Sequence, residues 1–201
     1  MLKGQMVEQI ELRIKGGVLG EDADRTVDTD DIRSYVEALI RKAYRDYYFM
    51  YKGQEGVLGM DESGLRNYTI TPVKADRYLE APIIKPLHIP GGVAIDSITA
   101  MEGNVNFVRV RGQGWLVRTE CFGDVSSWWY EPGKILFHNM GKPCELLVRM
   151  IPDPQELGDD EDLILPAGLE VEIMEQAFNF FMGRGPADTT VNNTNESGQR
   201  T

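Results

Sequence analysis

Residues 29–52 read TDDIRSYVEALIRKAYRDYYFMYK, and this stretch decides how the rest of the chain is interpreted. Apolar and aromatic side chains recur in it every three or four positions, as they do on one face of an amphipathic α-helix, and charged side chains occupy the other face. Asp28 or Thr29 is placed to cap the first amides, and Gly53 is a typical stop residue. The spacing therefore predicts one helix of about six turns.

Tyrosines are concentrated in the second half of this helix, at Tyr44, Tyr47, Tyr48 and Tyr51. Tyrosine combines apolar area with a hydroxyl group that needs a partner when it is buried, and it is enriched in protein–protein interfaces. We therefore predict that these four residues contribute to an inter-subunit or inter-domain contact. The alternative is that the helix packs only against the protein's own sheet.

The segment before the long helix has a different pattern. Residues 7–15, VEQIELRIK, alternate apolar and polar side chains, and this period of two predicts a short strand. Three glycines and an acidic run separate the segment from the helix. We therefore predict a flexible N-terminal arm over residues 1–27, whose strand can add to a sheet edge of a neighbouring subunit. Its interface candidates are Ile10, Leu12 and Ile14.

Between residues 68 and 150 the chain consists of short apolar stretches broken by turns rich in Gly, Pro and Asn. Candidate strands lie at residues 68–72, 83–89, 94–101, 106–110, 115–121, 126–130, 134–138 and 144–150. Many short strands at this spacing are typical of an antiparallel sandwich or barrel rather than of alternating βαβ units.

A second helix is predicted over residues 166–182, because proline is favoured in a first helical turn and Gly183 is a stop signal. The predicted fold class is therefore α+β: an antiparallel β-sandwich or barrel packed with a long N-terminal helix and a C-terminal helix. We place these elements in a single domain over residues 28–183. Residues 184–201 are too polar to fold alone and are predicted to form a flexible tail.

Charge and cysteine content limit the classes of function. The formal net charge of −11 argues against a surface that grips nucleic acid, because phosphate binding needs a basic patch. It is compatible with a channel wall that nucleic acid passes without sticking. The only two cysteines, Cys121 and Cys144, predict synthesis in a reducing compartment. Because no N-terminal apolar run follows a basic segment, we predict no signal peptide. Because no run of 18 apolar residues occurs, we predict no membrane span.

No pattern in the sequence predicts a catalytic, cofactor-binding or metal-binding residue. The two histidines, His88 and His138, lie in candidate strands and lack the flanking motif of a nucleophilic hydrolase. No Cys-x-x-Cys pair of the kind that holds zinc is present. The acidic runs at residues 21–31 and 159–162 do not match the ligand spacing of a calcium loop, so metal binding there is left open.

Residues 128–137, WWYEPGKILF, predict a β-hairpin. In a strand, Trp128 and Tyr130 share one face and Trp129 takes the other. One face is expected to lie in the core, and the opposite face, with Trp129, is predicted to contribute to a subunit interface. The alternative is a β-sandwich glycan-binding module of a virion, which stacks sugars on Trp115, Trp128 and Trp129.

The order of these segments resembles the neck-ring proteins, also called head-to-tail connector or adaptor proteins, of short-tailed, crAss-like bacteriophages of Bacteroidetes. No single motif carries the resemblance, which lies in the order of the segments over roughly residues 10–196. The matching segments are LRIKGGVLG (12–20), DIRSYVEALIRKAYRDYY (31–48), PLHIPGGVAIDSI (86–98), WWYEPGKILF (128–137), LPAGLEVEIMEQAFNFFMGR (165–184) and DTTVNNTNE (188–196).

This resemblance implies a virion structural protein that forms a dodecameric ring in the neck, between portal and tail, and lines the channel for genome ejection. The implied partners are further copies of the chain, the portal protein and other neck or tail rings, while DNA passes without specific binding. No catalytic residue or cofactor is implied, and the implied location is the virion after synthesis in the host cytoplasm. The tail would order on docking to a neighbouring ring, which gives the interface candidates Asp188, Thr189, Val191, Asn192, Asn193 and Asn195.

Overall fold

The computed structural model describes residues 1–17, 27–52, 64–75, 78–102, 106–110, 126–166 and 168–183. Within these residues the protein consists of three mutually packed helices and three β-sheets. The helices are α1 (Lys3–Gly17), α2 (Thr29–Lys52) and α3 (Leu169–Phe181). A short 3₁₀-helix, Pro154–Glu156, lies in the connection that precedes α3.

Helix α2 has the bounds that its sequence predicts. Asp28 caps it, because the Asp28 Oδ1 atom accepts a hydrogen bond from the backbone N–H of Asp30 at 3.1 Å. The buried side chains of α2 recur every four residues, as an amphipathic helix requires. They are Ile32, Val36, Ile40, Tyr44 and Tyr48.

The strand predicted at residues 7–15 is wrong, because this segment lies inside helix α1. An alternation of only three apolar residues also fits a helix, in which Ile10 and Ile14 are about one turn apart and share a face with Met6. Those three side chains are buried in the helical core, whereas Leu12 is 61% exposed. Helical burial of one face therefore decides the structure of a segment whose short pattern fits both periods.

The strands form two larger sheets and a hairpin. In chain order they are β1 (Arg66–Ile70), β2 (Val73–Ala75), β3 (Tyr78–Pro82), β4 (His88–Ile89), β5 (Gly92–Val93), β6 (Ile95–Ala100), β7 (Val108–Arg109), β8 (Ser127–Glu131), β9 (Lys134–His138) and β10 (Leu146–Met150). One sheet has the order β1–β10–β6, and a five-stranded sheet has the order β2–β3–β9–β8–β7. All neighbouring strands are antiparallel except the β7–β8 pair, and β4 pairs with β5.

Two large apolar cores and a smaller cluster around Trp129 lie among the described residues. The three helices pack with residues around the β4–β5 hairpin, namely Leu87, Ile89, Ala94 and Ile151. The second core lies in the β part and contains Leu79, Ala81, Ile95, Ile98, Trp128, Ile135, Phe137, Leu146, Val148 and Met150. The α+β class is therefore confirmed, with open sheets rather than a closed barrel among the strands that the structure describes.

The hairpin predicted at residues 128–137 is confirmed, with Trp128 opposite Phe137 and Tyr130 opposite Ile135. The candidate strands at residues 94–101, 134–138 and 144–150 correspond to β6, β9 and β10. By contrast, the candidate strand at residues 83–89 is reduced to β4 at its end. The candidate strand at residues 115–121 lies outside the described residues.

Sequence analysis missed β2 and β3 and misplaced the start of the last helix. Strands β2 and β3 are short and contain the charged residues Lys74 and Glu80, so they have little apolar pattern. Helix α3 begins at Leu169 rather than at Pro166, because Gly168 has a φ of 89° and left-handed backbone cannot continue a right-handed helix. The predicted division of the chain at residues 27/28 and 183/184 stays a prediction.

Candidate inter-subunit surfaces

The tyrosines predicted as an interface lie on different sides of α2. Tyr44 and Tyr48 are buried in the helical core, and Tyr47 is half-buried. Burial raises the pKa of Tyr44 to about 12, although the positive charge of Arg66 acts in the opposite direction. The side chain of Tyr51 lies outside the described part of the structure. Among the described members of the group, therefore, Tyr47 is the one that remains partly exposed.

The arm and tail candidates divide in a similar way. Ile10 and Ile14 are buried in the helical core of the chain itself, and of the three arm candidates Leu12 is on the surface. The tail candidates lie outside the described residues. They are Asp188, Thr189, Val191, Asn192, Asn193 and Asn195.

Trp129 lies on the opposite face of β8 from Trp128, as predicted, but it is only 2% exposed. It packs with Val110 and Leu136, and the ring of Tyr78 meets it edge-on at 5.0 Å. Both indoles are also used in hydrogen bonds, because Trp129 donates to Glu131 and Trp128 donates to the Phe107 carbonyl, each at 3.2 Å. Neither of these two tryptophans offers an open ring face for a sugar, and Trp115 lies outside the described residues.

A surface that sequence analysis missed is the aromatic ledge, which we define as Tyr35, Phe180 and Phe181. Tyr35 of α2 stacks on Phe180 of α3 with ring centroids 4.1 Å apart and an angle of 11° between the planes. Phe181 meets both rings edge-on, at 5.6 Å and 5.1 Å. Phe180 is nevertheless 57% exposed. The sequence signal was that α3 is apolar on more than one face, while only Ile173 and Ala177 are buried.

The helices are tied to the connection before α3 by buried and half-buried ion pairs. Asp153 accepts from Arg41 at 2.7 Å and from the backbone N–H of Gln155 at 3.2 Å, and its second oxygen lies 3.5 Å from the Lys85 ammonium. Burial by itself raises the pKa of Asp153. The hydrogen bonds and the two positive charges outweigh this effect, so the net pKa lies below the ordinary value of 3.8.

This pKa predicts how stability depends on pH. A carboxyl group with a lowered pKa in the folded state stabilises the fold above its unfolded pKa, here 3.8, and this stabilisation is lost as the pH falls through the lower folded value. We expect Asp153→Asn to lower the free energy of unfolding at pH 6, and the difference from wild type to shrink below about pH 4. Urea unfolding at several pH values measures this. Arg41→Gln should reduce the pH dependence of the unfolding free energy in the same range. If the difference in unfolding free energy between wild type and Asp153→Asn stayed constant down to pH 2, the lowered pKa of Asp153 would be contradicted.

Two surface clefts lie on the five-stranded sheet. One, of about 540 Å³, is lined by Arg109, Trp129 and Tyr130 together with the glycines of the β4–β5 turn. The Arg109 guanidinium is held there by the Val93 carbonyl at 3.3 Å and lies over the Trp128 ring at 5.5 Å. The second, of about 240 Å³, lies at the β2–β3–β9 end of the sheet. We call it the Lys74 cleft, and its lining residues include Lys74, Tyr78, Leu79, Phe137, Met140 and Pro143.

Across the described ranges, no three His, Cys, Asp or Glu side chains lie close enough together to hold a metal ion. In the same part of the chain, no helix combines the length and the apolar character that a membrane span needs. No protein-family model matches the chain, and no curated protein matches it either.

Proposed function

We propose that this chain is a virion structural protein that forms a ring in the neck between portal and tail and lines the channel for the genome. The observation that carries the proposal is the order of six sequence segments, from residues 12–20 to residues 188–196. This order resembles that of the neck-ring proteins of short-tailed, crAss-like bacteriophages. In this role the chain binds no cofactor and has no catalytic residue, and its partners are other copies, the portal and further rings.

The fold supports a helix-plus-sandwich subunit of this kind. The three-stranded and five-stranded sheets contribute to one apolar core, as the two layers of a sandwich do. The three helices form a second core beside the sheets. We propose that the sheets are the two layers of a sandwich and that the helices provide surface for contacts within the ring.

The charge of the chain supports a channel wall. A net charge of −11 repels phosphates, so DNA can slide past such a surface without binding to it. Several basic side chains of the helices already have a negative partner in the same chain, because Lys3, Arg33 and Arg41 each form an ion pair with a carboxylate. The positive charges of these helices are therefore partly withdrawn from DNA.

Negative-stain imaging of the purified protein, alone and mixed with its portal protein, tests this proposal. We expect rings in at least the mixed sample, with twelvefold rotational symmetry. Rings with another symmetry would contradict the dodecamer, and monomers in both samples would contradict the ring function. In that case the glycan-binding alternative is tested next, by quenching of tryptophan fluorescence with oligosaccharides, although Trp128 and Trp129 are both buried.

A further inference from the structure

The aromatic ledge is an apolar surface that the described residues leave partly exposed. Phe180 exposes 57% of its surface although it is stacked on Tyr35. Glu172, Gln176 and Phe180 are spaced four residues apart and are all exposed, so they form one stripe along α3. The charged side chains of α3 are all glutamates. The stripe therefore combines the exposed aromatic ring of Phe180 with the negative charge of Glu172.

The Lys74 cleft has the complementary properties. Its wall contains the apolar side chains of Leu79, Phe137, Met140 and Pro143, and its volume of about 240 Å³ has room for one aromatic ring. Lys74 lines the cleft, and the exposed Lys142 lies in the same loop as Pro143. Among the described residues neither lysine forms an ion pair. The cleft therefore combines several apolar side chains with the polar groups of Tyr78 and Asn139 and the positive charge of Lys74.

The chain that follows α3 is a poor cover for the ledge. Residues 184–201 contain no aromatic residue, and their apolar side chains are limited to Pro186, Ala187 and Val191. Such a segment has too little apolar area to cover a stacked pair of aromatic rings. An occupant from another chain, with an apolar hole and positive charge, fits the ledge better.

We propose that α3 of one copy docks on the next copy of this chain, with Phe180 in the Lys74 cleft and Glu172 facing the lysines at its rim. The contact joins two different patches of the same subunit, which makes it heterologous, as the interface of a closed ring of more than two subunits must be. The inference rests on the proposed ring function and names the contact on which the ring depends. It differs from the interface residues predicted from sequence, which are largely buried or lie outside the described residues.

Substitution of Phe180 tests the contact directly. We expect Phe180→Ser to weaken self-association about ten- to a hundredfold, because a buried phenylalanine is lost from each interface. Val171→Ser is the matched control, since Val171 is 53% exposed on the same helix but lies nine residues earlier, on the opposite side. Self-association is measured by sedimentation velocity over a range of concentrations, with and without portal, and thermal unfolding by circular dichroism checks that each variant folds.

A second set of variants tests the Lys74 cleft independently of Phe180. Met140→Gln should weaken self-association in the same direction, and it remains informative if Phe180→Ser does not fold. Glu172→Lys alone and Lys74→Glu with Lys142→Glu should each weaken association several-fold. The triple variant, which reverses both sides, should recover a large part of the loss. If the triple variant instead lost as much self-association as the separate losses added together, the proposed pairing of charges would be overturned.

The outcomes separate this inference from the ring proposal. Rings in the wild type and equally stable rings in Phe180→Ser would overturn the inference and leave the ring function in place. Normal self-association of Phe180→Ser with loss of portal binding would also overturn it, because the occupant of the ledge would then be the portal. Absence of any self-association in the wild type, with or without portal, would overturn the ring function itself.

Discussion

Replacing Glu37 with alanine is expected to lower the free energy of unfolding by about 3–5 kcal/mol. The Glu37 carboxylate lies 2.9 Å from the Lys3 ammonium, and the two side chains are only 9% and 3% exposed. The same ammonium donates to the Pro154 carbonyl at 3.2 Å. Once the carboxylate is removed, a positive charge remains out of water with one neutral partner, and that desolvation is the source of the large cost.

Two comparisons make the test specific. Glu11 forms an ion pair with Lys15 on the surface of α1, where Lys15 is 67% exposed, so Glu11→Ala should change stability little. Lys3→Met combined with Glu37→Leu replaces the buried pair by apolar side chains, and we expect it to recover most of the loss. Guanidinium unfolding followed by circular dichroism measures all three variants. If Glu37→Ala lost no more stability than Glu11→Ala, the Lys3–Glu37 ion pair would have to be exposed to water, which would contradict its burial.

Gly64→Ala is expected to cost about 2–5 kcal/mol, from backbone strain and from a collision with a buried ring. Gly64 has a φ of 82°, which L-residues adopt only with strain. A Cβ atom at this position would lie 2.6 Å from Cε1 of Tyr44, whose side chain is fully buried in the helical core. Because the ring is enclosed by the helical core, it cannot swing away without disturbing its neighbours.

Gly133→Ala is the matched control for this substitution. Gly133 also has a φ of 82°, but a Cβ atom there would meet nothing within 4 Å. Gly133→Ala should therefore lose only the stability that backbone strain costs, about 1–2 kcal/mol. The difference between the two variants, measured by the same denaturant unfolding, isolates the collision with Tyr44. Equal losses of stability at the two positions would contradict the collision. The double variant Gly64→Ala, Tyr44→Leu should lose less stability than the sum of the two single losses.

Elements with a long or strongly local pattern could be predicted from sequence. The bounds of α2 follow from an apolar spacing sustained over six turns, an aspartate cap and a following glycine. The hairpin of β8 and β9 follows from two apolar stretches joined by a Pro-Gly turn. The opposite orientation of Trp128 and Trp129 follows from the strand period alone.

Short or charged elements could not be predicted in the same way. Helix α1 has an alternation that fits both periods, and its burial against α2 and α3 decides between them. Strand β3 is held by pairing with β9, and β2 by pairing with β3, rather than by an apolar pattern of their own. In both cases the interactions that select the structure come from residues distant in sequence.

The candidate surfaces were harder to predict from the sequence than the fold. Tyrosines and a tryptophan were predicted as an interface because of their residue type, yet Tyr44, Tyr48 and Trp129 are buried within the chain itself. Phe180 was not among the predicted interface residues, yet among the described aromatic residues it is more exposed than Phe49, at 57% against 45%. A side chain's type and period determine which residues share a face, but they do not determine which face is covered.

The sequence by itself determined the α+β class, the long helix with its cap, the hairpin and the net negative charge, because each depends on composition or on near neighbours. Only the tertiary structure decided which of those faces are buried and which charges are paired. Lys3 meets Glu37 across 34 positions of sequence, and Arg41 meets Asp153 across 112. Burial and desolvation act between surfaces that the folded chain brings together, so they appear only when both surfaces are in place.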